Sequence, residues 1–191
     1  MAGQFESDEL AMDFGKLYDR PVHAEIAGFA QYCLDLAGDR ELPRRSDFDP
    51  CKVLPMLGNV YLLEVTPDGK DYYPSLFGVH MAVLYDSDLS QVPLNEFRNA
   101  DLRDALRKTY DEVTASGKPL YMRGKYVWPD KSVGFERLLV PMAGDSAGVT
   151  AILGMTILDA SDESLETFEG SVPATMVPEE TLRCEIPEYA S

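Results

Sequence analysis

The chain has little positive charge, no long apolar run and few side chains suited to metal binding. Only 17 of its 191 residues are Lys or Arg, against 33 Asp or Glu, so the formal net charge is −16. This surplus disfavours nucleic-acid backbones and anionic membranes as partners. No apolar stretch approaches the ~20 residues of a membrane span, and the opening MAGQFESD lacks the basic and apolar regions of a secretory signal. We therefore expect a soluble, cytoplasmic protein.

Metal ligands are scarce. The 2 histidines, His23 and His80, lie far apart, and the 3 cysteines form no CxxC pair. This spacing favours reduced thiols and provides no ligand set for zinc or an iron–sulfur cluster. A single axial haem ligand needs no motif, so His80 is either such a ligand or an ordinary hydrogen-bonded histidine. We predict no metal site, and the sequence identifies no cofactor.

One serine pattern suggests catalysis. Gly144-Asp145-Ser146-Ala147-Gly148 matches the G-x-S-x-G nucleophile elbow. That elbow joins a strand to a helix and needs a histidine later in the chain. Here β-type residues follow and both histidines lie upstream, so we interpret the pattern as a hairpin turn. Since no other acid, base and nucleophile set converges, we predict that the protein is not an enzyme.

Period-two alternation predicts a sheet. Pro74 marks the second strand as an edge strand, because proline cannot donate to the hydrogen-bond ladder. The last strand is apolar on both faces, as expected of an inner strand. The predicted strands are Asn59–Thr66, Asp71–Gly78, Leu120–Trp128, Val133–Met142 and Val149–Leu158.

Helices are predicted before and between these strands. Pro21 to Gly38 is amphipathic, with a stripe formed by Val22, Ile26, Phe29, Cys33 and Leu36. This stripe packs either on the chain's own sheet or on the helix of a second copy, because two heptads do not define a coiled coil. Shorter helices follow Asp49 and span Val79–Tyr85, and a longer one runs from Asp101 to Ser116.

Two strands, a helical crossing and a three-stranded meander follow the order of a PAS domain. Five segments add to this order: Leu42-Pro43-Arg44-Arg45-Ser46-Asp47-Phe48-Asp49-Pro50, Leu54-Pro55, Phe77-Gly78, Asp88-Leu89 and Phe135-Glu136-Arg137-Leu138-Leu139-Val140-Pro141-Met142. Together they resemble a family of bacterial, mainly alphaproteobacterial, PAS-type domains that often occur as small stand-alone proteins, over roughly residues 40–158. The chain departs from the family at Gly78-Val79, at Tyr85-Asp86-Ser87-Asp88 and at Gln91, where the family usually has Gly-Thr, a Gly and another Gly.

The resemblance implies an α+β fold: a PAS-like five-stranded antiparallel sheet, helices covering one face, and an N-terminal amphipathic helix. We expect an N-terminal arm at residues 1–20, the PAS-like domain with its helix at 21–158, and an acidic tail at 159–191. That tail holds nine acids and one base. Its spaced apolar residues indicate that it either straps along the body, docks on a partner or stays solvated.

By resemblance, the implied role is sensory or regulatory. A small-molecule pocket is expected between sheet and helices, and the same side chains would otherwise form an ordinary core. Arg137 either pairs across the sheet or binds an anionic ligand. The candidate ligand-binding residues are Phe77, His80, Tyr85, Phe97, Leu106, Tyr110, Tyr126 and Trp128.

Two functions remain open. The first is a regulator that contacts a signalling protein partner, forms a homodimer through its N-terminal helix and responds to a ligand. The second is a ligand-free interaction module whose core is filled by its own side chains.

Overall fold

A computed structural model describes residues 14–19, 21–144, 148–159 and 172–184. Its helices are α1 (Gly15–Tyr18), α2 (Ala24–Ala37), α3 (Val79–Leu84) and α4 (Ala100–Ser116). Its strands are β1 (Val60–Val65), β2 (Tyr72–Phe77), β3 (Leu120–Val127), β4 (Ser132–Ala143), β5 (Val149–Leu158) and β6 (Thr175–Arg183). Short 3₁₀ segments span Arg45–Asp47, Pro50–Asn59 and Leu94–Glu96.

The strands form one antiparallel sheet in the order β2-β1-β5-β4-β3-β6. β1 pairs with β5 so that Leu62 lies opposite Leu153, which joins the early hairpin to the closing meander. β2, which contains Pro74, lies at one edge as predicted. The predicted α+β class and antiparallel sheet are confirmed.

The sheet has a sixth strand where the sequence predicted five. β6 pairs with β3 along its length, and Met176 is buried against the sheet. Two acids and a proline, Pro178-Glu179-Glu180, lie at its exposed middle and hide the alternation of an edge strand. The acidic segment therefore straps along the body over residues 172–184.

Helices cover both faces of the sheet. α2 packs on one face, where Ile26, Phe29 and Cys33 are fully buried against β4 and β5. α3 and α4 cover the other face, with Leu84 and Leu106 in its core. Of the two occupants considered for the α2 stripe, the chain's own sheet is the one observed.

The segment at residues 42–50, which contains proline, arginine and aspartate, stabilises the connection between α2 and β1. The backbone N–H of Ala143 donates to the carbonyl of Pro43 at 2.9 Å, and Arg45 pairs with Glu64 of β1 at 2.8 Å. Asp49 caps the following 3₁₀ segment by accepting from the backbone N–H of Cys51. Pro55 lies inside that segment, and non-helical angles at Val53 break it into short turns.

Candidate ligand-binding site

A small cavity lies between the sheet and the segment that runs from α3 to α4. Its volume is about 20 Å³, room for about one water molecule. Aromatic and aliphatic side chains form most of its wall, and Arg137 is the only charged residue among those lining it. The lining residues are Tyr61, Leu63, Tyr72, Pro74, Phe77, Met81, Tyr85, Leu94, Phe97, Tyr110 and Arg137.

Arg137 is buried here because of the alternation of β4. Phe135 and Leu139, two residues to either side, belong to the same core cluster beneath α3 and α4, so position 137 faces inward. Glu136 faces the opposite side and pairs with Arg123 at 2.6 Å. Arg137 is 1% exposed.

The guanidinium of Arg137 is bonded to two hydroxyl groups and a thioether. Nε donates to the Thr156 hydroxyl at 2.9 Å, Nη1 donates to the sulfur of Met176 at 3.2 Å, and Nη2 donates to the Tyr126 hydroxyl. Its carbon lies 5.0 Å from the centre of the Phe135 ring, close enough for a cation–π interaction. No described carboxylate forms an ion pair with it. Of the two roles considered for Arg137, cross-strand contact is present, but its partner is a hydroxyl.

Tyr61, Tyr85 and Tyr110 do not neutralise Arg137. Burial raises the pKa of Tyr61 and raises those of Tyr85 and Tyr110 well above their ordinary value. These phenols therefore stay uncharged at neutral pH, whereas an arginine keeps its proton. The cavity is an aromatic enclosure around a buried positive charge.

Gly154 makes room for one wall of this enclosure. It lies opposite Tyr61 in the β1–β5 pair, and a Cβ at this position would come within 2.2 Å of the Tyr61 ring. The ring can therefore lie across β5, where its hydroxyl meets that of Thr156 at 3.1 Å. Thr156 thus contacts both Tyr61 and Arg137.

A second, larger pocket adjoins the cavity. Its volume is about 330 Å³, and Tyr85 and Phe97 line both spaces. The two rings stand edge to face, with centroids 6.1 Å apart. They form an aromatic wall shared by the cavity and the outer pocket, which is also lined by Asp86, Glu96 and Arg98.

Four of the predicted ligand-binding residues line the cavity: Phe77, Tyr85, Phe97 and Tyr110. Tyr126 lies directly behind it, bonded to Arg137 and 3.2 Å from the Tyr85 hydroxyl. Leu106 and Trp128 belong to the surrounding core and are not among the lining residues.

His80 lies elsewhere. Its Nδ1 is 2.8 Å from the side-chain oxygen of Asn59, and its ring packs on Gly58, where an added Cβ would approach it to 3.0 Å. The histidine therefore joins α3 to the 3₁₀ segment before β1 and does not line the cavity. Of the two roles considered for His80, a haem ligand and an ordinary hydrogen-bonded histidine, its surroundings match the second.

Sequence reasoning did not select the β1 and β2 side of the cavity. Tyr61 and Leu63 alternate along β1, and Tyr72 and Pro74 alternate along β2. Their period-two spacing placed each pair on one face of its strand, but only the sheet order shows that this face meets α3.

Other chemistry has little support among the described residues. They contain no group of three or more His, Cys, Asp or Glu that could hold a metal ion. No described helix is long and apolar enough to cross a membrane. Ser146 lies outside the described residues, and the chain continues from Gly148 into β5, a strand where a nucleophile elbow would have a helix.

The described residues thus form an antiparallel sheet with helices on both faces and a small cavity beneath α3 and α4. A family model described as PAS domain matches residues 22–157, and the chain belongs to this family. PAS domains are sensory and regulatory modules.

Other comparisons add little. No curated protein matches the chain. One solved structure, described as "Flavin Analogue Sheds Light on Light-Oxygen-Voltage Domain Mechanism", is similar over 62% of this chain and 88% of that chain. The identity is 14% and the TM-score 0.42, so this likeness carries no argument about a ligand here.

Proposed function

We propose that this PAS domain is a cytoplasmic, non-catalytic regulator that contacts a signalling protein partner and is gated by a small molecule. The supporting observation is a pair of adjoining spaces, of about 20 Å³ and about 330 Å³, whose linings share Tyr85 and Phe97. Small-molecule sites typically measure roughly 300–1,000 Å³. Rotation of the two rings would join the spaces into a pocket of that size.

The gating follows from the positions of Tyr85 and Phe97 in the chain. Tyr85 ends α3, and Phe97 follows the 3₁₀ segment Leu94–Glu96. A ligand that separates their rings must displace these short elements and favours the conformation in which they are displaced. Only such unequal binding to two conformations can shift their populations.

Native mass spectrometry of the full chain tests the ligand. We expect a retained small molecule that is lost in Leu94→Phe, which fills the small cavity. Phe97→Ala, which thins the wall, serves as the opposite control and should exchange the ligand faster. Hydrogen exchange should show that ligand release changes protection in α3. A protein that retains nothing, with unchanged exchange in both variants, would contradict the proposal.

The second candidate is a ligand-free interaction module. The observation that favours it is the cavity volume of about 20 Å³, which is that of a core filled by its own side chains. For such a module, Leu94→Phe would change only stability, and binding of the partner would not depend on any small molecule.

A further inference from the structure

We propose that the cavity binds the carboxylate group of a compact monocarboxylate. Arg137 is the cation that pairs with this carboxylate. This inference rests on the proposed function, because it assigns a chemical class to the molecule in that pocket. The observation that carries it is a fully buried guanidinium, without a described anionic partner, in the wall of a cavity.

The first reason is the unbalanced charge. A buried charge is normally paired, because removal from water costs more than neutral hydrogen bonds return. The acid next in sequence, Glu136, faces the other side of the sheet and is bonded to Arg123 and to the backbone N–H of His23. Burial raises the pKa of Tyr61, Tyr85 and Tyr110, so these three tyrosines supply no negative charge at neutral pH. A negatively charged ligand would supply the missing charge.

The second reason is the number of remaining donors. A guanidinium has five N–H groups, and Arg137 uses three of them on Thr156, Met176 and Tyr126. Each terminal nitrogen therefore keeps one N–H without a partner among the described residues. A carboxylate accepts two such bonds from one guanidinium, a geometry that a point-like ammonium does not offer.

The third reason is the character of the remaining wall. Beyond Arg137, the cavity is lined by rings and aliphatic side chains such as Leu63 and Leu94. These suit an apolar body attached to the carboxylate, either a short alkyl chain or a single ring. The outer pocket combines Asp86 and Glu96 with Arg98, so selection for an anion falls to Arg137.

Size separates this class from inorganic anions. A chloride ion would need little more room than the cavity of about 20 Å³ offers, whereas a carboxylate with an apolar body needs the rings of Tyr85 and Phe97 to move apart. Only the larger ligand would couple binding to movement of α3. The test must therefore compare ligands of equal charge and different size.

Thermal unfolding and calorimetry of the full chain provide that comparison. The probes are sodium acetate, butyrate and benzoate, the matched neutral amides, and sodium chloride at equal ionic strength. We expect butyrate or benzoate to raise the melting temperature in a saturable way and their amides to have no such effect. Chloride as effective as every carboxylate would overturn the assignment to carboxylates, and so would equal effects of acids and amides.

Variants locate the binding. Arg137→Met keeps an unbranched, although shorter, side chain and removes its charge, and we expect carboxylate affinity to fall about tenfold to hundredfold. Unchanged affinity in this variant would overturn the role of Arg137. Should Arg137→Met not fold, Phe97→Ala decides the matter, because a pocket behind that wall should bind carboxylates faster once it is thinned. Unchanged association would overturn the site.

The outcomes also separate this inference from the proposed function. A retained neutral molecule, lost in Leu94→Phe and insensitive to Arg137→Met, would sustain the ligand-gated module and overturn the carboxylate assignment. Failure of every ligand together with an insensitive Leu94→Phe variant would overturn both.

Discussion

Two non-glycine residues adopt a left-handed backbone in the loop between α3 and α4. Asp86 has φ 49° and Gln91 has φ 64°. The PAS-type family that this chain resembles usually carries glycine in this loop, and glycine reaches such angles without steric cost. The loop keeps its course because the backbone N–H of Gln91 donates to the carbonyl of Pro74 at 2.7 Å.

Gln91 is a site where glycine should stabilise the fold. A non-glycine residue in the left-handed region costs roughly 1–2 kcal/mol, partly offset by the greater freedom of glycine when unfolded. We expect Gln91→Gly to be about 1 kcal/mol more stable than Gln91→Ala in urea denaturation. Both variants lose the side chain, so their difference reports the backbone alone. Equal stability would show that the left-handed angle is without cost.

Gly154 should tolerate no side chain. The added Cβ would meet the Tyr61 ring at 2.2 Å, so the ring must leave its place above β5. We expect Gly154→Ala to lower the free energy of unfolding by about 1–3 kcal/mol and to weaken any ligand binding. The control is Gly28→Ala in α2, where nothing lies within 4 Å and alanine should add about 0.5–1 kcal/mol. Both are measured by chemical denaturation.

At the level of elements, Glu136 attaches the start of α2 to the sheet. Its carboxylate accepts from the backbone N–H of His23 at 2.9 Å and pairs with Arg123, which also donates to the carbonyl of Pro21. Burial alone would raise the pKa of Glu136, but the bonds from His23 and Arg123 outweigh it and lower the pKa. Folding is therefore coupled to the ionised form.

Acid should weaken this attachment. Because the pKa of Glu136 is lowered in the folded state, its contribution is complete above the ordinary glutamate value of about 4.3 and is lost as pH falls below it. We expect the wild type to lose more stability than Glu136→Gln between about pH 5 and pH 3, measured by urea denaturation at each pH. Glu41→Gln, an exposed glutamate, is the control and should follow the wild type.

β6 belongs to the fold and should not be removable. It covers the edge of β3, and Met176 reaches the guanidinium of Arg137. Truncation after Asp159 would uncover that edge and this part of the core. We expect the free energy of unfolding to fall by at least about 2 kcal/mol, and the shortened chain to aggregate through the open edge. Chemical denaturation measures the first effect and light scattering the second. Truncation after Cys184 keeps β6 and should leave stability unchanged.

For the whole molecule, self-repulsion should make stability depend on salt. The net charge is −16, and raising ionic strength from about 0.01 M to about 0.1 M shortens the screening length from about 30 Å to about 10 Å. Exposed pairs such as Lys125–Glu179 weaken too, but each contributes little. We expect the melting temperature to rise with NaCl. Choline chloride should act alike, and an effect confined to sodium would indicate specific cation binding instead.

The same charge guides the search for a partner. A protein with a basic surface is electrostatically favoured. A homodimer through α2 stays a prediction, and its interface would have to use the outer side of that helix, because Ile26 and Phe29 are buried against the chain's own sheet. Light scattering on the full chain tests this.

Local sequence patterns predicted much of the fold. Alternation placed β1 to β5, and Asn99 and Gly117 enclose α4 as capping residues should. β6 was not predicted because its edge position lets acids and a proline replace the usual pattern. Four candidate residues that were selected as large aromatic residues near the helices, Phe77, Tyr85, Phe97 and Tyr110, line the cavity, and their role in ligand binding stays a prediction. His80 was selected for its chemistry, and its surroundings placed it on Asn59.

The amino-acid sequence by itself determined which side of each element is apolar, because periodicity is a property of neighbouring residues. Only the tertiary structure decided that α2 lies on its own sheet, that β1 joins β5, and that Arg137 is enclosed by tyrosines from β1, α3, α4 and β3. Those contacts join residues far apart in the chain, so no local spacing records them. The residue type alone gives the positive charge of Arg137, whereas its burial away from described carboxylates depends on the residues that surround it in the folded chain.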